Sequence, residues 1–152
     1  MNSLALQDKT IVIIGGTTGL GLSAAKACIV AGARVIVVGR NPDSAAAAQE
    51  QLSTNTRALV GDASDPQTAA VAIDRALADF GGFHGLYHVA GGSGRKAGDG
   101  PLHEITDEGW QFTFNLNLTS LFYSNRAAAR QFLKQGTGGS ILNMGSVLGY
   151  SP

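Results

Sequence analysis

A cluster of glycines near the amino terminus has the spacing of a phosphate-binding turn. Gly15, Gly19 and Gly21 follow the apolar run 10–14 and precede a stretch of helical character. Glycines placed in this way let the chain turn tightly, and they bring backbone N–H groups and the positive end of a helix dipole towards an anion. The strand-then-helix context predicts a site for the pyrophosphate of a dinucleotide. A purely structural turn between a strand and a helix is the alternative.

A second group of candidate residues follows the next apolar run, which ends at Val38. A dinucleotide fold that prefers NAD usually carries Asp or Glu here, where the carboxylate binds the ribose 2′-hydroxyl. Gly39 stands at that position, and Arg40 follows it. Because a guanidinium can pair with a 2′-phosphate through two hydrogen bonds, this segment favours NADP over NAD. The alternative is an exposed arginine at the end of a strand.

Short apolar runs alternate with alanine-rich helical stretches along the whole chain. Apolar runs without polar alternation are typical of strands buried on both faces of a parallel sheet. The predicted strands are 10–14, 34–38, 56–60, 84–89 and 140–144, and the predicted helices are 20–31, 42–53, 65–80 and 107–135. Right-handed crossovers then predict an α/β fold, a Rossmann-type doubly wound parallel sheet of order 3-2-1-4-5 with helices on both faces.

Capping residues and strand ends locate the site within this fold. Asp65 and Pro66 have the types expected for the N-cap and first residue of the third helix, and Thr106 is the expected cap of the long last helix. In doubly wound sheets, ligands bind at the carboxyl ends of the strands, where the strand order reverses. That rule directs attention to 15–21, 90–94 and 145–149.

Several motifs, in this order along the chain, resemble those of the short-chain dehydrogenase/reductase family. The spacing Gly15-x-x-x-Gly19-x-Gly21 resembles the fingerprint T-G-x-x-x-G-x-G, with Ile14 in place of the threonine. The segment 88–91 (HVAG) stands where the family has N-N-A-G, and it keeps the last two residues while losing both asparagines. The remaining motifs are Asp62 after the third strand, Trp110 followed by Asn117-Leu118, and 140–146 (SILNMGS), which ends in Ser146. The resemblance covers nearly the whole chain.

This resemblance implies hydride transfer between a nicotinamide cofactor and a carbonyl or alcohol substrate. Ser146 would hydrogen-bond the substrate carbonyl, Asn117 would hold a water in a proton relay, and Asp62 would contact the adenine ring. The residues expected to bind the cofactor, NADP rather than NAD, are Gly15, Thr17, Thr18, Gly19, Leu20, Gly21, Arg40, Asn41, Asp62, Ala63, Ala90, Gly91 and Gly92. The alternatives are a turn serine at 146, and an asparagine at 117 that bends a helix by bonding to its backbone.

The family's Tyr-x-x-x-Lys pair is not found in these residues. None of Tyr87, Tyr123 and Tyr150 is followed four positions later by lysine, and the family's spacing from Ser146 points beyond Pro152. We therefore expect residues 1–152 to form one dinucleotide-binding domain that is incomplete at its carboxyl end, lacks the last strands and is inactive by itself. The remainder would be truncated, cleaved or carried by a companion chain. A non-catalytic dinucleotide-binding module, used for sensing or assembly, is the alternative.

Composition excludes several other classes of protein. Eleven Lys and Arg balance eleven Asp and Glu, so no net field attracts the chain to nucleic acid or an anionic membrane. The start of the chain lacks the order of a signal peptide, and the apolar runs are too short to span a membrane, so we expect a cytoplasmic protein. The apolar residues of helix 107–135, among them Phe112 and Phe122, favour self-association into a homo-oligomer.

Three further features have two interpretations each. His84 and His88 would share one face of a strand, either as a metal pair without an evident third ligand or as core or pocket-edge histidines. Cys28, the only cysteine, excludes an intramolecular disulfide and fits a small packing residue better than a nucleophile. Arg95 and Lys96, in the polar loop 92–104, either touch a substrate or cofactor phosphate or are simply solvated.

Overall fold

The apolar runs form the central sheet that the sequence predicts. The computed structural model describes residues 5–52 and 54–149, in which five parallel strands lie in the order β3-β2-β1-β4-β5. The strands are β1 (Thr10–Ile14), β2 (Arg34–Gly39), β3 (Thr56–Val60), β4 (Gly85–His88) and β5 (Ser140–Asn143). The helices are α1 (Gly19–Val30), α2 (Pro42–Gln51), α3 (Thr68–Phe80), α4 (Asp107–Phe114) and α5 (Ser120–Gln135). Within the described ranges, no helix is both long and apolar enough to cross a membrane.

The alternation of side chains along each strand divides the core into two layers. Successive residues of a strand face opposite sides of the sheet. Val12 and Ile14 of β1 pack in one layer with the alanine-rich faces of α3 and α5, while Ile13 packs in the other layer with α1 and α2. Helices therefore cover both faces, which confirms the doubly wound architecture and explains why β1 and β2 lack polar alternation.

The strand register brings the carboxyl ends of the three inner strands to one edge. Ile14 of β1 pairs with Val38 of β2 on one side and with His88 of β4 on the other. His88 in turn pairs with Asn143 of β5. The residues that follow these positions therefore lie along a common edge, and the order of the strands reverses between β1 and β4.

The start of α3 differs from the prediction. The helix begins at Thr68, not at Asp65–Pro66. The Oδ1 atom of Asp65 accepts a hydrogen bond from the backbone N–H of Gln67 (2.8 Å), which closes a local turn. Such side-chain bonds offer the backbone an alternative to the helical ladder, so an Asp-Pro start signal here produced a turn before the helix.

The predicted single helix over 107–135 is interrupted by a π-helical turn at Asn115–Thr119. Its start is as expected, since Thr106 Oγ1 accepts the N–H of Gly109 at 3.0 Å. Further along, the Ser120 N–H donates to the carbonyl of Asn115, five residues back. The Ser120 hydroxyl donates a hydrogen bond to the Leu116 carbonyl, four residues back, at 2.7 Å. The helix therefore widens because side chains occupy carbonyls that the backbone ladder would use.

Candidate functional site

The glycine-rich turn lies between the ends of β2 and β4 and is bonded to both. The N–H groups of Gly15 and Gly16 donate to the Val38 carbonyl at 2.8 and 2.9 Å. The Ala90 N–H donates to the Ile14 carbonyl at 2.9 Å. Gly15 has φ +88°, and a Cβ there would lie 2.6 Å from the backbone nitrogen of Ala90. Only glycine fits this position, because both the backbone angle and the space exclude a side chain.

The first turn of α1 follows directly on this glycine-rich turn. Thr18 precedes the helix, and its side chain makes no capping hydrogen bond. The first N–H groups of a helix have no partner within the helix, and they carry the positive end of its dipole. A Cβ at Gly21 would lie 2.9 Å from the Cα of Gly16, so a close approach keeps the loop folded against the helix. This geometry is that of an anion cradle.

A cleft of about 410 Å³ runs along this edge, within the usual size range of small-molecule sites. It brings together all but one of the residues predicted to bind the cofactor. Its lining includes Gly15, Thr17, Thr18, Gly19, Leu20, Gly21, Arg40, Asn41, Asp62, Ala63, Ala90 and Gly91. Gly92 lines a neighbouring cavity instead. The cleft is long enough to join the glycine turn to the ends of β2 and β3.

An ion pair lies in the part of this cleft that the segments after β2 and β3 form. Arg40 Nη1 lies 3.8 Å from Asp62 Oδ2, and both side chains are about half exposed. The other carboxylate oxygen of Asp62 accepts hydrogen bonds from the N–H and the hydroxyl of Ser64, at 2.8 and 2.7 Å. Burial acts to raise the pKa of Asp62, but the Ser64 hydrogen bonds and the Arg40 charge outweigh it, and the pKa is lowered. Asp62 is therefore ionised, and it forms a long and largely exposed ion pair with Arg40 at the rim.

Asn41 has a structural contact at the same rim. Its Oδ1 atom accepts the N–H of Ser44 at 3.0 Å and caps α2, with Pro42 at the first helical position. The side chain is therefore held towards α2, while the residue still lines the cleft.

A second cavity, of about 1210 Å³, opens beyond Ala90 and contains both residues predicted to be catalytic. Asn117 and Ser146 line it together with Gly91 and Gly92 of the loop after β4. Ser146 follows β5, and its carbonyl accepts the N–H of Gly149 at 3.1 Å, so it also begins a short turn. Both interpretations of Ser146 are compatible with this position.

The side chain of Asn117 is fully engaged. Its Oδ1 accepts the N–H of Gly92 (2.9 Å), and its Nδ2 donates to the carbonyls of Gly92 and Thr113 (3.0 Å each). These bonds join the π-helical turn to the loop after β4. The contact with Thr113 is the helix-distorting contact anticipated as the alternative for Asn117. The residue thereby shapes the wall between the two cavities, which Leu116 and Gly91 also line on the cleft side.

The two histidines have separate structural contacts. His88 is buried, with Nδ1 3.0 Å from Ser124 Oγ and Nε2 3.3 Å from Ser120 Oγ. Burial lowers the pKa of His88, against a hydrogen bond with the Ala90 backbone that acts in the opposite direction. His84 precedes β4, and its Nδ1 accepts the N–H of Thr10 at 3.0 Å. The expectation that both lie in one strand is therefore wrong.

No metal site supports the other interpretation of the histidines. In the part of the chain that the structure describes, no group of three His, Cys, Asp or Glu side chains could hold a metal ion. His88 is a core histidine whose serine partners were not identified from the sequence. The available signal for these partners was their spacing, 116, 120 and 124. Positions four apart in a helix lie one above the other on one face, and here that face packs against β4.

The remaining singled-out residues are peripheral to the cleft. Arg95 lines the second cavity near Asp99, while Lys96 is exposed. Cys28 packs partly buried against the α1–α2 layer, and burial raises the pKa of its thiol. That position agrees with a packing residue.

Comparisons with known proteins identify the family. The model of the short chain dehydrogenase family matches residues 9–152. The chain is 32% identical, over 151 residues, to a 2-dehydro-3-deoxy-D-gluconate 5-dehydrogenase of Dickeya dadantii, covering 99% of this chain and 58% of that protein. It is 29% identical to an NADP-dependent (R)-specific alcohol dehydrogenase of Lentilactobacillus kefiri, covering 95% of this chain and 57% of that one.

A solved structure gives the same result. A short-chain type dehydrogenase/reductase from Mycobacterium ulcerans superposes with a TM-score of 0.84 at 36% identity, covering 95% of this chain and 53% of that one. The chain thus spans a little over half the length of these relatives. With the sheet order, the glycine turn and a family match over nearly all its residues, the chain belongs to the short-chain dehydrogenase family.

Proposed function

We propose that this chain is part of an NADP(H)-dependent oxidoreductase that interconverts a carbonyl and an alcohol. One observation carries the proposal. The glycine turn at the start of α1 and Arg40, which follows β2, line the same cleft. An anion cradle and a cation, separated along one cleft, suit a dinucleotide with a pyrophosphate and a 2′-phosphate.

The cleft fits the cofactor by its own geometry. A side chain at Gly15 or at Gly21 would clash with neighbouring backbone. Because both residues are glycines, the loop backbone can come close to a bound ligand. The open N–H groups of α1, beginning at Gly19, would hold the pyrophosphate. Leu20 is 67% exposed at the mouth of the cleft, where it would cover the bound dinucleotide.

The adenosine end supports NADP over NAD. Gly39 offers no carboxylate to a ribose 2′-hydroxyl, and Arg40 is free to turn from Asp62 towards a phosphate because the ion pair is long and half exposed. Asp62, kept ionised by Ser64, would contact the adenine. The Lentilactobacillus relative is named an NADP-dependent alcohol dehydrogenase, which is consistent with this preference.

The substrate would bind in the second cavity, beside the nicotinamide end. When bound, the cofactor supplies or accepts a hydride. Ser146 would donate a hydrogen bond to the carbonyl oxygen and stabilise the charge that develops there. Asn117 would fix the loop at Gly92 through its two hydrogen bonds and so keep the cavity open. The general acid expected by resemblance, a tyrosine with a nearby lysine, would come from residues other than these 152.

The proposal includes self-association through the apolar residues of α4, the π-helical turn and α5. Trp110 is 51%, Leu118 56% and Phe122 50% exposed. Large apolar side chains exposed this close together are typical of interaction surfaces. We propose a homo-oligomer, or a companion segment, as the partner of this surface.

Turnover tests the proposed activity. The full-length protein should oxidise NADPH in the presence of one or more members of a panel of sugar, ketone and aldehyde substrates, followed at the nicotinamide absorbance. Ser146→Ala should lower kcat by about 10²-fold or more while NADPH affinity stays close to wild type. NADPH binding without turnover on any carbonyl would favour the non-catalytic module instead.

A further inference from the structure

Thr17 fills the space in which a side chain at position 39 would begin. A Cβ built on Gly39 would lie 2.8 Å from Cγ2 and 2.9 Å from Cβ of Thr17, and closer still to Oγ1. Real Cβ atoms essentially never approach other atoms so closely. Thr17 is itself 6% exposed, so its side chain is enclosed between the glycine turn and the end of β2.

The side chain of Thr17 cannot clear this space by rotating. A β-branched residue has two heavy atoms on Cβ, so every staggered rotamer keeps at least one of them on the side that faces Gly39. The 2.9 Å contact of the two Cβ atoms does not depend on χ1 at all. Relief therefore requires movement of the backbone at Thr17 or at Gly39.

The backbone on both sides is fixed by hydrogen bonds and packing. Gly16, which precedes Thr17, donates its N–H to the Val38 carbonyl at 2.9 Å, and a Cβ on Gly16 would lie 2.9 Å from the Cβ of Val37. Gly39 accepts the N–H of Gly61 at 3.0 Å and pairs with Val60 of β3. Moving either segment would disturb the end of the sheet and the anion cradle together.

We propose that Thr17 is a specificity-determining residue of the dinucleotide site. Position 39 is where an NAD-selective site of this architecture places its ribose-binding carboxylate. By occupying that space, Thr17 excludes Asp or Glu and leaves recognition of the adenosine ribose to Arg40. The inference rests on the proposed function, and it assigns the preference to a packed pair, Thr17 with Gly39, in addition to the arginine.

A double-mutant cycle tests the pair. Wild type, T17G, G39D and T17G/G39D are prepared in the full-length protein, and the dissociation constants of NADPH and NADH are measured by calorimetry beside the thermal unfolding temperature. We expect G39D alone to lower the unfolding temperature and to weaken the binding of both cofactors. T17G alone should keep the preference for NADPH.

The double variant carries the decisive result. T17G/G39D should recover unfolding temperature relative to G39D. It should also shift the NADPH-to-NADH preference towards NADH by about tenfold or more beyond G39D alone, the effect of one hydrogen bond to a charged group. An equal shift in G39D and in T17G/G39D would overturn the proposal, because Thr17 would then be no obstacle.

Two controls separate the possible failures. Asn41→Asp adds a carboxylate at the same rim and keeps the cap of α2, so its effect on the preference should be the same with or without T17G. If G39D does not fold, G39A and T17G/G39A repeat the cycle on unfolding temperature alone, and no recovery in the double variant contradicts the proposal. If wild type binds neither cofactor, the proposed function fails, while the unfolding temperatures still test the contact.

Discussion

Asn117 and Gly92 are held together by a reciprocal pair of hydrogen bonds. The carboxamide oxygen of Asn117 accepts the N–H of Gly92 at 2.9 Å, and its nitrogen donates to the Gly92 carbonyl at 3.0 Å. The same nitrogen donates to Thr113 within the helix. A single side chain therefore joins the π-helical turn to the loop after β4, and Asn117 and Gly92 both line the second cavity.

Replacing Asn117 by alanine should destabilise the protein and release the loop. The loss of three hydrogen bonds, of which the one to Thr113 is partly buried and the two to Gly92 are exposed, should lower the free energy of unfolding by about 1–3 kcal/mol, measured by urea denaturation. Hydrogen exchange of the Gly92 amide should become faster. Asn115→Ala, in the same turn but with exposed contacts only, should change stability by less than about 0.5 kcal/mol. Equal effects of the two substitutions would contradict this role for Asn117.

His88 should make stability depend on pH near neutrality. Burial lowers its pKa in the folded protein below the ordinary value of about 6.5. The unfolded chain then binds more protons than the folded one as the pH falls below that value, so the free energy of unfolding decreases from about pH 6.5 downwards. His84 is shifted in the same direction, by burial and then by the charges of Lys9 and Arg34.

His88→Asn should flatten this dependence in part, because it removes one of the two histidines whose pKa is lowered. The measurement is the free energy of unfolding at intervals between pH 7.5 and pH 5.5. Ser124→Ala provides the comparison: it removes a hydrogen-bond partner but leaves the imidazole, so it should lower stability without flattening the profile. An unchanged slope in His88→Asn would show that the buried ring is not responsible.

Substitution on the apolar surface of α4, the π-helical turn and α5 should change the oligomeric state. Leu118→Glu places a charge among Trp110, Phe114 and Phe122, where desolvation of the carboxylate would oppose association. Light scattering after size exclusion should give a lower mass for this variant than for wild type. Val71→Glu, at an equally exposed apolar position on α3, should leave the mass unchanged. A wild-type monomer would contradict the homo-oligomer and leave a companion segment as the partner of this surface.

The parts of the fold that sequence patterns predicted are those governed by local, repeated signals. The continuous apolar runs of β1 and β2 predicted strands buried on both faces, and the chirality of crossovers then led to the observed order of the sheet. The glycine turn was recognisable because its position between a strand and a helix restricts what glycine spacing can mean. The roles of the individual site residues, and further strands beyond β5, stay predictions.

Contacts between distant residues were not predictable in the same way. The hydrogen bonds between Asn117 and Gly92 join residues 25 positions apart in the sequence, and no local pattern indicates that partner. The role of Ser120 and Ser124 as hydrogen-bond partners of His88 is evident only once the fold places the imidazole beside them. In the sequence Thr17 is one more polar residue of a loop, and its contact with Gly39 is visible only in the structure. The predicted start of α3 was wrong for a local reason, because the Asp65 carboxylate accepts the backbone N–H of Gln67 and closes a turn before the helix.

The most direct test of the NADP(H) proposal is the affinity of the full-length protein for NADPH and NADH, measured by calorimetry in wild type and in Arg40→Ala. Wild type should bind NADPH more tightly. Arg40→Ala should weaken NADPH binding by roughly 10- to 100-fold, the worth of charged hydrogen bonds to a phosphate, and leave NADH binding nearly unchanged. Arg75→Ala, an exposed arginine of α3 outside the cleft, should affect neither. Tighter binding of NADH by wild type, or an unchanged preference in Arg40→Ala, would contradict the proposal.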